Sequence, residues 1–227
     1  MLNARARKPL ARFVEPVADR LNRAGISPNA VTVAGTVAAV AAALWLIPTG
    51  HLFAAAVLMA LFTAFDLIDG TMARLRGGGS RFGAVLDASC DRITDGALFG
   101  AVAWWAWYHY EAPEPLVAAT LTVLVASQVI SYVKARAEAS GFTVDGGLVE
   151  RAERLIIGLL GIGLQGLGVP YAADVAMWVL AAGSVFTVVQ RLAMVARQPG
   201  AAEYIAPPKG AQDGPAPGAA GAGARGR

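Results

Sequence analysis

The chain has 227 residues, 56% hydrophobic and 15% charged, with a mean hydropathy of +0.52 and a formal net charge of +3. That balance is too apolar and too poor in charge for an ordinary soluble domain. The small positive excess calls for no nucleic-acid partner, because a basic rim also suits anionic lipid headgroups, and Cys90, the only cysteine, excludes an intrachain disulfide.

In chain order, residues 5–24 mix Leu10, Phe13, Val14, Val17 and Leu21 with basic positions, the pattern of an amphipathic helix lying on a membrane surface. Pro9 and Pro16 break this segment, and no apolar core of a cleavable signal peptide is visible. Ser27-Pro28-Asn29 starts the next helix, with Ser27 as N-cap and Pro28 at the first helical position. Between Arg23 and Asp66 there is no Asp, Glu, Lys or Arg. Since a span takes about 20 residues, this stretch holds two helices broken at Pro48-Thr49-Gly50. Apolar runs from Ala84 to Trp107, Pro115 to Val133, Leu155 to Ala173 and Val175 to Gln190 bring the expected count to six. The expected fold class is all-α: a polytopic membrane protein with six transmembrane helices and an N-terminal amphipathic juxtamembrane helix. It divides into a juxtamembrane segment (1–26), a membrane domain (27–197) and a disordered tail rich in Pro, Gly and Ala (198–227).

All 19 Lys and Arg residues fall on one set of helix ends and tails, and the turns at Pro48 to His51, Tyr108 to Pro115 and Gly166 to Ala173 have none. Short cytoplasmic loops are enriched in Lys and Arg. Both termini and the basic ends are therefore expected on the cytoplasmic side of the membrane.

Four aspartates lie at those ends, in Asp66-x-x-Asp69-Gly70-x-x-Ala73-Arg74, eight residues, then Gly83-x-x-x-Asp87-x-x-x-Asp91. At about 100° per residue, Asp66, Asp69, Gly70 and Ala73 share one helix face, while Asp87 and Asp91 stand one turn apart on the next helix. The turn from Arg76 to Arg81 lets the two helices lie antiparallel, so the carboxylates can converge. An unpaired charge of this kind costs about 3 kcal/mol at mid-membrane, and divalent cations supply the compensation. Oxygen donors favour Mg²⁺ or Mn²⁺, and four of them suit a two-metal site for phosphoryl chemistry. His51 and His109 are expected at the opposite ends of the helices, away from the metals. Gly70 and Ala73 either admit a nucleotide or permit close helix packing, and Arg74 either binds phosphate or anchors the helix end.

Ser131, Lys134, Arg136, Arg151, Arg154 and Arg191 end on the same side. Each alone reads as a membrane anchor; together they suit an acceptor that carries phosphate.

The string DLIDGTMARLRGGGSRFGAVLDASCD resembles the signature of the CDP-alcohol phosphotransferases, with every defining position filled. The strings SPNAVT, RGGGSRFGAVLDASCDRITDGA, SQVISYVKARAEASG and VERAERLII extend the resemblance to phosphatidylinositol phosphate synthases of actinobacteria, but not over the tail. The resemblance implies transfer of the phosphatidyl group of CDP-diacylglycerol to 1D-myo-inositol 3-phosphate (inositol 1-phosphate), releasing CMP. It implies that Asp66, Asp69, Asp87 and Asp91 hold two Mg²⁺ or Mn²⁺ ions and that Asp91 is also the general base. Asn29, Ala30, Val31, Thr32, Asp69, Gly70, Ala73, Arg74 and Ser80 would contact CDP-diacylglycerol, aided by the N-H groups of a helix start. Ser131, Lys134, Arg154 and Arg191 would contact the inositol phosphate, and the enzyme would be a homodimer. Asp95, one turn past the signature, supports the metal ligands or joins helices. The competing enzyme is a phosphatidylglycerophosphate synthase using glycerol 3-phosphate; a cation transporter is disfavoured because no internal repeat is visible.

Overall fold

The structure, a computed structural model, describes residues 14–63, 65–110 and 113–204, and at residue 66 the backbone without its side chain. The expected N-terminal segment before residue 14, the tail from residue 205 and the Asp66 carboxylate therefore lie outside the described residues. Residues 14–23 are helical (α1). They are followed by α2 (Pro28–Leu46), α3 (Leu52–Thr63), α4 (Phe65–Leu75), α5 (Arg81–His109), α6 (Glu114–Ala139), α7 (Arg151–Gly166) and α8 (Ala172–Ala196). Among the described residues there is no strand.

The helix ends follow local chemistry. Ser27 caps α2 by accepting the Ala30 N-H at 3.2 Å, with Pro28 in the first turn. Ser80 caps α5 in the same way, accepting the Gly83 N-H at 2.9 Å. Between α4 and α5 the chain reverses through Gly77 and Gly78 at φ of 90° and 136°, conformations that side chains other than glycine rarely adopt. The start of α7 is a capping box, with the Glu150 N-H donating to the Glu153 carboxylate at 3.1 Å.

The helices pack as a closed ring in the order α2, α5, α6, α8, α7, α3 and back to α2, with α4 extending α3 alongside α2. The ring interior is filled by Ile47, Met59, Phe99, Val102, Leu116, Val123, Ile162, Met177 and Leu180. Without a large hydrophobic driving force between helices in lipid, close approach through small residues holds such a bundle together. A Cβ on Gly166 would sit 2.5 Å from the Phe53 backbone nitrogen, one on Gly163 3.2 Å from the Ala56 methyl, and one on Gly161 against Ala176. Three glycines thus let α7 nest between α3 and α8.

Pro28–Leu46, Leu52–Leu75, Glu114–Ala139 and Ala172–Ala196 are long and apolar enough to cross a membrane. Helix α5 has 29 residues but carries Asp87, Asp91, Arg92 and Asp95 in its first half, and α7 has 16 residues, shorter than a full span. The turn expected at Gly166 to Ala173 is present: α7 stops at Gly166, Gly168 at φ of 86° and Pro170 turn the chain, and α8 runs past the expected Gln190 to Ala196. The outer flanks expose Val37, Leu44, Trp45, Trp104, Val125, Ile156 and Val175, an apolar surface far larger than a protein in water presents.

Helix α1 is held by protein contacts. Ala18 is fully buried against Val31 and Met72, the Asn22 amide donates to the Met72 carbonyl at 3.2 Å, and Arg76 donates to Asn22 and to the Ile26 carbonyl, both at 2.7 Å. At the opposite end of the bundle the Tyr110 hydroxyl donates to Asp174 at 3.0 Å and tilts edge-on to Trp105, joining the end of α5 to the start of α8. Burial, then this bond, pushes the Tyr110 hydroxyl pKa up.

Gly161→Leu is expected to destabilise the bundle by about 1–3 kcal/mol, the usual range for overpacking, because the Ala176 helix face leaves no room. Thermal unfolding of the detergent-solubilised protein checks it, with Gly96→Ala, whose added Cβ meets nothing within 4 Å, as the tolerant control.

Candidate active site

The motif end of the ring brings α2, α4, α5 and α7 together around the aspartates. Asp69 on α4 is buried, and Thr32 on α2 donates to its carboxylate at 2.5 Å while also bonding the Pro28 carbonyl. Gly35 permits this approach, since a Cβ there would lie 3.2 Å from that of Phe65. Asp87, in the second turn of α5, is exposed, and Asp91, one turn on, has 20% of its side chain exposed.

The nucleotide side is only partly as expected. Asn29 reaches the start of α5, where its Oδ1 would be 3.1 Å from a Cβ on Gly83, as would Ser80 Oγ. The bare Gly83 thus lets the starts of α2 and α5 meet, bringing Asn29 and Ser80 together. The Ala30 and Val31 N-H groups, expected to be available to an anion, are engaged by the Ser27 hydroxyl and carbonyl. The Val31 side chain is buried against α1, and Thr32 is committed to Asp69. On α4, Arg74 donates to Thr71 at 2.7 Å, and apart from Arg74 the space beside Gly70 is open, while Ala73 is half-buried.

Acceptor-side residues are rearranged more. Lys134 is 43% exposed and pairs loosely with Glu138 at 3.8 Å, and the Ser131 hydroxyl bonds the Ser127 carbonyl at 3.1 Å on its own helix. Arg191 is buried, donating to the Ile130 carbonyl at 2.9 Å and the Gly146 carbonyl at 3.1 Å, with Glu150 at 3.4 Å. Arg154 is 1% exposed and its guanidinium lies 3.1 Å from the Asp95 carboxylate, itself fully buried. Arg154 and Arg191 are therefore interior struts in this arrangement, and Lys134 faces outward.

Asp95, Arg151 and Arg92 take the central place. Arg151, the first residue of α7, meets Asp91 at 2.8 Å and approaches Asp95 at 3.9 Å. Arg92 on α5 lies 3.6 Å from Asp95 and 3.8 Å from Asp91. Asp91 and Asp95 repeat at i, i+4 on α5, and Arg151 and Arg154 repeat at i, i+3 on α7. Matching these one-turn intervals is the signal that could have paired the helices. Helices α5 and α7 are not neighbours in the ring, so these pairs cross its interior.

Among the described residues, no three His, Cys, Asp or Glu side chains come together as metal ligands; the full expected set includes Asp66, whose side chain lies outside them. The donors fit a hard cation all the same, being carboxylates with a hydroxyl partner and no imidazole. Arg92, Arg151 and Arg154 carry three positive charges against two on Asp91 and Asp95.

Residues 25–197 match the family model described as CDP-alcohol phosphatidyltransferase. The chain is 62% identical over 212 residues to the phosphatidylinositol phosphate synthase of Corynebacterium glutamicum, covering 93% of this chain and 97% of that one. Among solved structures, the Mycobacterium tuberculosis phosphatidylinositol phosphate synthase with CDP-DAG bound is similar at a TM-score of 0.84 and 55% identity, over 87% of this chain and all of that one. The same enzyme in complex with manganese and citrate has a TM-score of 0.84 and 54% identity, over 88% and 97% of the two chains.

Arg154→Met leaves Asp95 buried without its closest partner and is expected to destabilise the protein by about 3–5 kcal/mol. Lys134→Ala removes only a solvent pair and should shift stability by less than about 0.5 kcal/mol. Thermal unfolding of both variants in one detergent separates strut from rim.

Proposed function

The chain belongs to the CDP-alcohol phosphatidyltransferase family, and from that premise we propose that it transfers the phosphatidyl group of CDP-diacylglycerol to inositol 1-phosphate, giving phosphatidylinositol phosphate and CMP. The observation that carries the acceptor is the charge of the group on α5 and α7: three guanidiniums against two carboxylates, largely out of water, favour an acceptor bearing phosphate over neutral inositol. The names of the relatives support inositol phosphate over the glycerol 3-phosphate of a phosphatidylglycerophosphate synthase.

In this reading Asp66, Asp69, Asp87 and Asp91 would hold two divalent cations, Mg²⁺ or Mn²⁺, whose chemistry when bound is to neutralise the diphosphate. Manganese in the Mycobacterium tuberculosis structure supports a divalent ion. Thr32 fixes the Asp69 carboxylate by its hydrogen bond. Asn29, Ser80, Gly70, Ala73 and Arg74 border the open side of α4 and α5 and receive the cytidine nucleotide, so that the lipid lies along the apolar flank. The acceptor hydroxyl attacks the lipid-side phosphorus, the bond to the CMP oxygen breaks, and Asp91 takes the hydroxyl proton. Arg92, Arg151 and Ser131 line the approach of the acceptor phosphate, with Lys134 at the rim.

The closed packing of six helices around a shared core supports six spans, with α5 and α7 completing the ring. The basic helix ends orient the site to the cytoplasm with both termini on that side. The membrane domain over 27–197, the bacterial cell membrane as location and a homodimeric state complete the reading, resting on the charge pattern and the family.

Asp91→Asn is expected to lower CMP release about 10²–10⁴-fold, the usual weight of a general base, while CDP-diacylglycerol binding stays measurable. An assay of the purified enzyme with CDP-diacylglycerol, Mg²⁺ and a panel of acceptors tests the assignment: inositol 1-phosphate should be used, free inositol poorly. Equal use of free inositol, or a strong preference for glycerol 3-phosphate, contradicts the acceptor and leaves the phosphatidyl transfer standing.

A further inference from the structure

The end of α4 and the start of α5 are joined through three successive glycines, Gly77, Gly78 and Gly79. Gly77 and Gly78 lie at positive φ, and a Cβ added to any of the three would meet nothing within 4 Å. A glycine run with no neighbours packed against it links two helix ends without fixing the angle between them. Ala73 and Arg74 stand before the run and Ser80 directly after it, so residues read as bordering the nucleotide lie on both sides of its most permissive point.

Arg76, the residue before the glycines, is tied elsewhere. Its Nε donates to the Asn22 side-chain oxygen and its Nη2 to the Ile26 carbonyl, both at 2.7 Å. Both acceptors are held in place. Helix α1 closes with Gly25 at φ of 78°, where the Gly25 N-H bonds the Asn22 carbonyl and the Ile26 N-H bonds the Leu21 carbonyl, each at 3.1 Å. Ile26 leads into Ser27, the cap of α2, and Asn29 follows in the first turn of that helix. The Asn22 amide completes the circuit by donating at 3.2 Å to the Met72 carbonyl, which also accepts the Arg76 N-H at 3.2 Å. Ala18, fully buried, packs α1 against Met72 just below.

We propose that Arg76 is a positioning residue for nucleotide binding: by tying the end of α4 to the turn between α1 and α2, it fixes the edge formed by Ala73 and Arg74 relative to the edge formed by Asn29 and Ser80. This rests on the reading that those four residues border the cytidine nucleotide. A guanidinium suits the task because its planar fork sets two donors on two separate acceptors at once, a geometry that the single nitrogen of a lysine does not reproduce. The glycines then supply the reversal, and Arg76 supplies the angle.

The test measures the KM for CDP-diacylglycerol in mixed micelles with Mg²⁺, and inhibition by CMP, which carries the nucleotide without the lipid, for the full-length enzyme, Arg76→Lys, Asn22→Ala and the two combined. Arg76→Lys keeps the charge and Asn22→Ala changes none, so neither alters the attraction of an anionic substrate. Each is expected to raise the KM and to weaken CMP inhibition by about fivefold, the weight of one hydrogen bond, with kcat and the KM for inositol 1-phosphate moving by less than about twofold. The double variant should be no worse than the more affected single variant, because both changes break one tie. An unchanged KM in Arg76→Lys would make charge alone sufficient, and multiplied losses in the double variant would make the two residues independent; either overturns the proposal. A raised KM without weaker CMP inhibition places the effect on the lipid and overturns it as well. So does a fall in thermal stability or kcat with the KM unmoved, the mark of a contact that only holds the fold. If Arg74→Ala leaves both the KM and CMP inhibition unmoved, the placement of the nucleotide itself fails, a separate outcome.

Discussion

The buried ion pair between Asp95 and Arg154 is the contact on which the arrangement at the motif end depends. It joins α5 to α7 across the ring rather than along its circumference, with both groups out of contact with solvent. Either charge alone inside a membrane bundle is costly; together, with Arg92 and Arg151 around them, they hold the two helices at a fixed separation and register. Loss of one partner is worse than loss of both, because it leaves an uncompensated charge in low dielectric.

The rest of the basic end is built to keep α7 where that pair needs it. Glu150, which caps α7, is also met by Arg191 of α8 at 3.4 Å. The segment before it is sewn to α8 by Thr187, which accepts the Val149 N-H at 3.0 Å, and by Gln190, which accepts the Leu148 N-H at 3.1 Å, and to the turn after α8 by Gln198, which bonds the N-H and the carbonyl of Thr143. Gly147 has no room for a side chain there, since a Cβ would press on Thr187 at 2.7 Å. The opposite end of the bundle holds its elements differently, through Trp105 stacked on His109 and edge-on to Tyr110, the Tyr110–Asp174 bond, and the Gln165 side chain accepting the Ala173 N-H at 3.3 Å. The described buried ion pairs are thus gathered at the motif end.

Much of this was legible in the sequence because it repeats at short range. The uncharged stretch between Arg23 and Asp66, the Ser27-Pro28 cap and the Gly77-Gly78 turn are local signals, and each appears in the structure as a helix, a capped start or a reversal. The apolar run from Leu155 continues past Gly166 into the turn, and the left-handed conformation of Gly168 marks where the helix has ended. Side-chain partners at long range were not legible. Arg154 and Arg191 read as acceptor contacts because basic residues near a helix end look alike in sequence; in the structure both are buried, against Asp95 and against Glu150 with the Ile130 and Gly146 carbonyls. Arg151 looked like an anchor, and nothing local says that α7 lies opposite α5. The availability of N-H groups at the start of α2 was overestimated for the opposite reason, since the cap that identifies the helix start also consumes its first donors.

The most direct test is a double-mutant cycle on the pair itself, with stability measured for Asp95→Asn, Arg154→Met and the two combined in the same detergent. If the charges depend on each other across the ring, the double variant is more stable than the sum of the single losses requires, with a coupling of about 1–3 kcal/mol. Additive losses would mean that α5 and α7 are held by their separate neighbours in the ring and that the buried pair does not organise the site.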